Sequence, residues 1–268
     1  MNDTATTPNA DAKQGCLIAV GSGIKSVAHL TMEAKARIEW ADQVLICVAD
    51  GVTDTYVRQL NPNTEDLHVY YGQDKKRRVT YRDMADRICW YVRQGLNVVC
   101  VMYGHPGVFV NPTFAAMDDL RAEGYHCEML PGVSAEDCLI ADLEIDPATE
   151  GLQTYEATAF LVRKIVIDVR VPLVLWQVGV LGEMAYERKG FDNHNLPVLV
   201  DHLSELYAPD HEVVIYEAAQ HPLAEPRIRV YRLCDLGVDD LTGISTMFVP
   251  PKAPAGADPV MVERLGLA

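Results

Sequence analysis

Short apolar runs alternate with amphipathic stretches through the first half of the chain. "CLIAVGSG" (16–23) reads as a buried strand closed by a glycine turn. "QVLICVA" (43–49), "DLHVYY" (66–71) and "NVVCVM" (97–102) read as three further strands, and "YHCEML" (125–130) as a fifth. Between them, "TMEAKARIEWA" (31–41) is helical with Thr31 as N-cap, and "VTDTYVRQL" (52–60) is a helix stopped by Asn61-Pro62. From Tyr81 the apolar positions Met84, Ala85, Ile88, Tyr91 and Val92 follow the spacing of one helix face, which ends near Gly95. Asn111-Pro112 predicts an N-cap followed by proline in the first turn of a helix reaching Glu123, with Gly124 beyond it. "PGVSAEDCLIADL" (131–143) is a turn into another helix. Strand–helix units at this spacing predict a mostly parallel sheet covered on both faces.

The pattern changes after about residue 146. "LQTYEAT", "VPLVLWQVG", "HEVVIYEAA", "PRIRVYRL" and "TMFVPP" read as strands, with helices expected only at 180–188 and 196–207. This predicts a second α/β domain with some antiparallel pairing. The expected division is a disordered tail at 1–15, a first domain at 16–135, a second at 136–251 and a C-terminal tail at 252–268.

Composition narrows the class. The chain has 268 residues, 49% of them hydrophobic, so it can bury a real core, yet no run is long enough to cross a membrane. The polar N-terminus has no apolar stretch and is not a signal peptide. Seven scattered cysteines with no Cys-x-x-Cys pair fit small core residues in a reducing cytoplasm. The net charge of −15 argues against a groove that tracks nucleic acid. Lys75-Lys76-Arg77-Arg78 is the one basic cluster that breaks this balance.

Candidate chemistry gathers where strands end, because loops diverge there in open α/β sheets. Gly21-Ser22-Gly23 is an incomplete dinucleotide pattern, with Ser26 where a third glycine would stand. In "YGHPGVF" (103–109), glycines permit close main-chain approach and Pro106 stiffens the loop, while Tyr103 and His105 offer polar tips. Tyr103 is equally compatible with a place in the core. Ser134-x-x-Asp137 forms a capping box, so the Ser134 hydroxyl has a structural use beside any ligand. In "YYGQDKKRRVTYRDM", Arg77 beside Tyr71 and Tyr81 is either a solvated charged loop or a second-substrate site. A fixed cation between phenols suits a reaction in which a carbonyl oxygen gains negative charge while a weak acid loses its proton.

Taken in order, the early G-x-G strand, "LNPN", "YGHPGVFV", "GVSAEDCLIADL", "ADLEIDP", "WQVG" and "ISTMFVPP" resemble the tetrapyrrole-methylase-like superfamily. Within it they are similar to the borosin, or omphalotin-type, peptide-backbone α-N-methyltransferases, from about Cys16 to Leu267. The resemblance implies a two-domain class III S-adenosylmethionine methyltransferase fold, with the donor held folded between the domains, in a homodimer. It implies donor contacts from Tyr103, His105, Val108, Phe109, Ser134, Ala135, Gln177, Ala218, Ser245 and Thr246, with S-adenosylhomocysteine as by-product and no metal. It implies catalytic roles for Arg77, Tyr81 and Tyr103, with Tyr71 in support. A tyrosine that some relatives carry just before this group is His68 here, which leaves its role open. Fused members of the branch continue into their own substrate peptide, whereas this sequence reaches Ala268 without one. That leads to the expectation of a split enzyme acting repeatedly on a separate precursor peptide. The alternative is a tetrapyrrole C-methyltransferase acting on a precorrin or uroporphyrinogen.

Overall fold

The computed structural model describes residues 14–73, 75–183, 191–253 and 256–267. The described residues form two compact units, 14–138 with 219–224, and 139–183 with 191–218 and 225–267.

The first unit is built on five parallel strands: β1 (Cys16–Gly21), β2 (Gln43–Cys47), β3 (Thr64–Asp66), β4 (Asn97–Met102) and β5 (His126–Met129). Their order is β3-β2-β4-β1-β5, with Ala19 opposite Cys100 and Leu45 opposite the same residue on the other side. Successive side chains leave a strand on opposite faces, and both faces are buried. Leu17, Ala19, Leu45, Cys100 and Met102 pack on α3 (Arg77–Arg93) and α4 (Asn111–Ala122) through Met84, Ile88, Ala116 and Met117. Ile18, Val20, Val44, Ile46, Val99 and Val101 pack on α1 (Met32–Trp40) and α2 (Gly51–Leu60) through Ala34, Ile38 and Val57. This is why these strands read as unbroken apolar runs.

Local chemistry sets the boundaries. Thr31 accepts from the Ala34 N–H and starts α1, as expected, and Asp50 accepts from Thr53 to start α2. Local capping also changes several expected extents. "DLHVYY" is not a strand: β3 ends at Asp66, whose carboxylate accepts from the His68 N–H and turns 67–70 into a 3₁₀ helix. "LQTYEAT" stops as a strand at Glu156, whose carboxylate accepts from Thr158 and Ala159 and starts α7 (Ala157–Val162) after β6 (Gln153–Glu156). Asn111 does not cap α4; Val110 occupies that place with no side-chain bond, and Asn111-Pro112 are the first two helical residues. Of the helix expected at 180–188, only Val180 falls in a 3₁₀ turn (Val178–Val180), 181–183 are not helical, and 184–190 lie outside the described residues.

α5 (Ala135–Asp142) runs from the first unit into the second, followed by α6 (Pro147–Glu150). The second sheet contains β6, β7 (Leu173–Trp176), β8 (Glu212–Glu217), β9 (Arg227–Arg232) and β10 (Thr246–Val249) in the order β6-β7-β10-β8-β9. Only β6 and β7 are parallel; β10 runs antiparallel to β7 and to β8, and β9 antiparallel to β8. Leu173, Leu175, Val213, Ile215, Met247 and Val249 close on Phe160 of α7 and on Leu199 and Leu203 of α8 (Leu196–Leu206). The buried Tyr216 hydroxyl donates to Asp142 at 2.7 Å, tying β8 to α5. α9 (Pro259–Arg264) lies near the end of the chain, with its N-cap at Asp258. Among the described residues no helix is long and apolar enough to cross a membrane.

Candidate active site

All five strands of the first sheet point the same way, so the turns after β1, β2, β4 and β5 share one edge. Three glycine-bearing loops meet there. Gly23 and Gly104 exchange main-chain hydrogen bonds at 3.2 and 3.1 Å. A Cβ on Gly21 would lie 2.1 Å from the Gly104 carbonyl oxygen, and one on Gly132 would meet Gly21, Gly104 and Pro106 within 3.5 Å. The incomplete G-x-G therefore serves backbone packing against the "YGHPGVF" loop.

That loop is shaped by its own residues. Gly104 adopts φ +70°, and His105 folds back so that Nδ1 accepts from the Gly107 N–H at 3.0 Å. This places the proton of a neutral His105 ring on Nε2. Phe109, a non-glycine residue, sits at φ +58° with its side chain about half exposed beside the exposed Val108. Such a conformation costs about 1–3 kcal/mol and persists where the surroundings impose it. Tyr103 is half-buried. Its main chain donates to Cys47 at 2.9 Å and its hydroxyl pairs with the Gln220 side chain; burial pushes the phenol above its ordinary range. Gln220 is a partner that no local sequence pattern announces, being 117 residues away; its carbonyl also accepts from Ser26 N–H and hydroxyl. At the start of α5, Ser134 and Asp137 form the expected reciprocal cap: Asp137 accepts from the Ser134 N–H at 2.6 Å, and the Ser134 hydroxyl bonds Glu136, Asp137 and the carboxylate. The hydroxyl is engaged in the fold, and Ala135 opens the helix behind it.

The basic cluster divides. Lys75 is tied to the Tyr70 carbonyl at 2.8 Å and to Asp83 at 2.7 Å, whereas Lys76 and Arg78 are exposed. Arg77 does not lie in a loop before the helix; it is the first residue of α3. Two arginines in that first turn stand at the positive end of a 17-residue helix with no acidic residue in the turn. Positive side chains at this end of a helix oppose its dipole. Tyr81, one turn further on, is half-buried and pairs with the Tyr71 hydroxyl. Burial is the main cause that raises Tyr71 above the usual phenol range, helped by Cys47 and by the bond to Tyr81, and Arg77 works in the opposite sense. Arg77, Tyr71 and Tyr81 are thus one group, joined through Cys47 to the Tyr103 backbone. Sequence patterning reads Cys47 only as a core thiol.

In the second unit the remaining candidates also share an edge. Gln177 follows β7, Ala218 follows β8, and Ser245-Thr246 open β10, which runs antiparallel between those two strands. Gln177 adopts φ +61°, and a Cβ on Gly179 of "WQVG" would lie 1.7 Å from the Thr242 carbonyl oxygen. Ser245 and Thr246 are buried. The Ser245 hydroxyl donates to Glu217 at 2.6 Å and accepts from the Thr242 N–H at 2.8 Å. Burial pushes the Glu217 carboxyl up, but Ser245, Thr242 and Arg227 together hold it below its ordinary range. Glu217 was not legible as an organiser, because its partners lie 10 to 28 residues further along.

The sheet orders, the converging glycine loops and the strand-end residues define a two-unit α/β architecture, and residues 16–222 match the Tetrapyrrole (Corrin/Porphyrin) Methylases. The chain belongs to that family. It is 47% identical, over 92% of its length, to a methyltransferase/ribosomally synthesized type I borosin cyclic peptide precursor of Coprinopsis marcescibilis. It is 45% identical over 91% of its length to the dendrothelin A methyltransferase/precursor of Dendrothele bispora, and 43% over 97% to the omphalotin A methyltransferase/precursor of Omphalotus olearius. It spans 64%, 60% and 63% of those three proteins, less than two thirds of each. Among solved structures, uroporphyrin-III-C-methyltransferase from Thermus thermophilus shares the fold with a TM-score of 0.62 at 20% identity, covering 89% of this chain and 93% of that one. The methyltransferase CobJ does so at 0.60 and 17% identity, covering 92% and 98%.

Proposed function

We propose that the chain is an S-adenosylmethionine-dependent methyltransferase that repeatedly methylates backbone amide nitrogens of a peptide supplied as a separate chain, and that it works as a homodimer. The observation that carries this reading is the Arg77–Tyr81–Tyr71 group at the start of α3. A peptide nitrogen is a poor nucleophile because its lone pair is delocalised into the carbonyl. The imidate form attacks readily, but it needs a stabilised oxygen and a base for the amide proton. Arg77, with the positive end of α3 behind it, supplies the first. Tyr81 takes the proton, its oxygen supported by the Tyr71 hydroxyl and the Arg77 charge. Tyr103 aligns the acceptor with the methyl group.

A folded sulfonium donor is the cofactor proposed for these loops. In this loop Gly104 and Pro106 are buried, whereas His105 and Gly107 are partly exposed. Two candidate positions, Phe109 and Gln177, hold left-handed backbone that nothing in a plain turn requires. Tyr103, His105, Val108, Phe109, Ser134 and Ala135 are the proposed contacts from the first unit. Gln177, Ala218, Ser245 and Thr246 are those from the second, with Ser134 and Ser245 acting through their main chain because their hydroxyls are engaged. When bound, the donor supplies an electrophilic methyl group: the N–C bond forms as the C–S bond breaks, and that electron pair stays on sulfur. Holding acceptor and donor in line accounts for much of the acceleration, about 7–11 kcal/mol where alignment is good.

A second reading, methylation of a tetrapyrrole carbon, draws on the family match and on the exposed cations Lys76 and Arg78, which suit an acidic substrate. An electron-rich pyrrole carbon needs no amide-deprotonating phenol, so that reading leaves the Tyr71–Tyr81 pair without a task. Arg77→Ala separates the two roles assigned to the site. Peptide methylation, followed by mass spectrometry, is expected to vanish while calorimetry shows undiminished donor binding. Full turnover in that variant refutes the assignment.

A further inference from the structure

β9 is the last strand at one side of the second sheet, and its sequence, RIRVYR, sets three arginines among apolar residues with no carboxylate. It pairs with β8 from Arg227 opposite Glu217 to Arg232 opposite Glu212. The same register continues in the Leu233 N–H, which donates to the His211 carbonyl at 3.0 Å. In an antiparallel ladder, residues that bond one neighbour alternate with residues whose N–H and C=O turn the other way. Counting back from Leu233, Tyr231, Arg229 and Arg227 bond inward to β8, and the main-chain groups of Ile228, Val230 and Arg232 face outward. Among the described residues no strand lies on that side and no main-chain hydrogen bond reaches it. Ile228 and Val230 stand opposite Tyr216 and Val214 on one sheet face and are 38% and 59% exposed. Arg229 and Tyr231 lie on the other face, where Tyr231 packs on the core. Arg227 is held by Glu217 at 2.6 Å and by the Asp240 carbonyl at 2.7 Å, and Arg232 by Asp235 at 2.6 Å. Arg229 is exposed, and among the described residues no carboxylate pairs with it.

We propose that the outer edge of β9 receives an extended, acidic segment of the separately supplied peptide as a sixth strand of this sheet. This rests on the reading of the chain as a peptide methyltransferase given above. An open row of N–H and C=O groups is a template for another strand, and charge on such an edge decides which strands it accepts. A second copy of β9 is a poor match, because arginine-rich strands with no carboxylate in either would lie side by side. A strand bearing carboxylates is a good one. The main-chain groups of Ile228, Val230 and Arg232 supply bonds that do not depend on sequence, and alternate side chains of the incoming strand supply the choice. Those on the face of Ile228 and Val230 are apolar, and those on the opposite face carry carboxylates beside Arg229. Amides engaged in this ladder are not free to be methylated, so the segment is a handle distinct from the stretch that is modified.

The probe is an acetylated, amidated peptide of alternating glutamate and valine, with a lysine–valine peptide as its counterpart. Deuterium exchange of the full chain, followed by NMR, is expected to show the Ile228 and Val230 amides exchanging quickly in the free protein and slowed by the glutamate–valine peptide, with the Arg229 amide slow in both states. Calorimetry should show the lysine–valine peptide binding roughly 10-fold more weakly. Arg229→Glu should weaken glutamate–valine binding by roughly 3- to 10-fold, and less at high salt. Val230→Pro removes one outward N–H at a place where an edge strand tolerates proline, and should abolish most of the protection. Binding that leaves the Ile228 and Val230 amides fast, or equal affinity for the two probes, overturns the inference. So does protection of those amides in the free protein that grows with protein concentration, which would seat a second copy there. The tie to the substrate is read from kinetics: Arg229→Glu should raise the KM for a candidate precursor peptide with donor affinity retained. An unchanged KM overturns the inference while leaving the methyltransferase reading intact. An unaltered protein that methylates no peptide overturns that reading, and with it the substrate segment named here, whatever the probe does.

Discussion

Replacing Gly21 by alanine tests whether the glycine contacts at the strand ends position the candidate site. The new Cβ would stand 2.1 Å from the Gly104 carbonyl oxygen, and contacts under 3.0 Å are essentially never seen. The carbonyl must therefore withdraw by about 1 Å, and a misplacement of that size near a reacting group costs on the order of a hundredfold in rate. The movement also disturbs the Gly23–Gly104 bonds and the turn that leads to His105 and Phe109. Overpacking of this kind destabilises by about 1–3 kcal/mol. Gly124→Ala is the matched control. Gly124 has φ +89° with no atom within 4 Å of an added Cβ, so alanine there meets only backbone strain, about 1–2 kcal/mol. Both variants should lower the melting temperature by a few degrees, at about 2–4 °C per kcal/mol for a domain of this size. Gly21→Ala alone should lose donor affinity by calorimetry and methyl transfer by mass spectrometry. A Gly21→Ala protein with full affinity and full rate would show that the loop does not depend on this contact for its function.

Other outcomes follow from single contacts. Asn61→Ala should destabilise by about 2–3 kcal/mol in urea unfolding, because buried Asn61 donates to the Ile38 and Ala41 carbonyls and accepts from Asn63. Glu65→Gln should cost about 1–2 kcal/mol, since Arg87 holds Glu65 through two bonds at 2.8 and 2.7 Å and Tyr91 adds a third at 2.6 Å. Those partners, Arg87 first, depress the Glu65 carboxyl in the folded state. Its stabilisation is therefore complete above the ordinary carboxyl value of about 4.3 and is lost as pH falls through the depressed value below it. Acid unfolding of Glu65→Gln should be less steep in that window, and an unchanged acid profile would contradict the linkage. Tyr81→Phe should abolish peptide methylation with donor binding retained, and Tyr71→Phe should reduce it less, as measured by product mass.

The parallel sheet was legible because a strand buried on both faces has no polar residues to hide it: Leu17 to Val20 and Val98 to Met102 can be nothing else. The tight turns were not. "DLHVYY" carries the alternation of a strand, and one carboxylate at Asp66 overrides it by capping the next turn; Glu156 does the same to "LQTYEAT". The Arg77–Tyr81 spacing was readable, although the helix begins four residues earlier than its apolar face implies, since Arg77 and Arg78 contribute nothing to that face. Gln220 against Tyr103 and Cys47 against His68 depend on chain segments brought together by the fold, and no local spacing encodes them.

The central claim is that the Arg77–Tyr81–Tyr71 group makes a peptide amide nucleophilic. The most direct measurement is fragmentation mass spectrometry after incubating the protein with S-adenosylmethionine and a candidate precursor peptide, beside a parallel incubation with a porphyrinogen. The account predicts mass increments of one methyl group each on backbone nitrogens of the peptide, absent in Arg77→Ala. An unmodified peptide together with a methylated porphyrinogen carbon would contradict it.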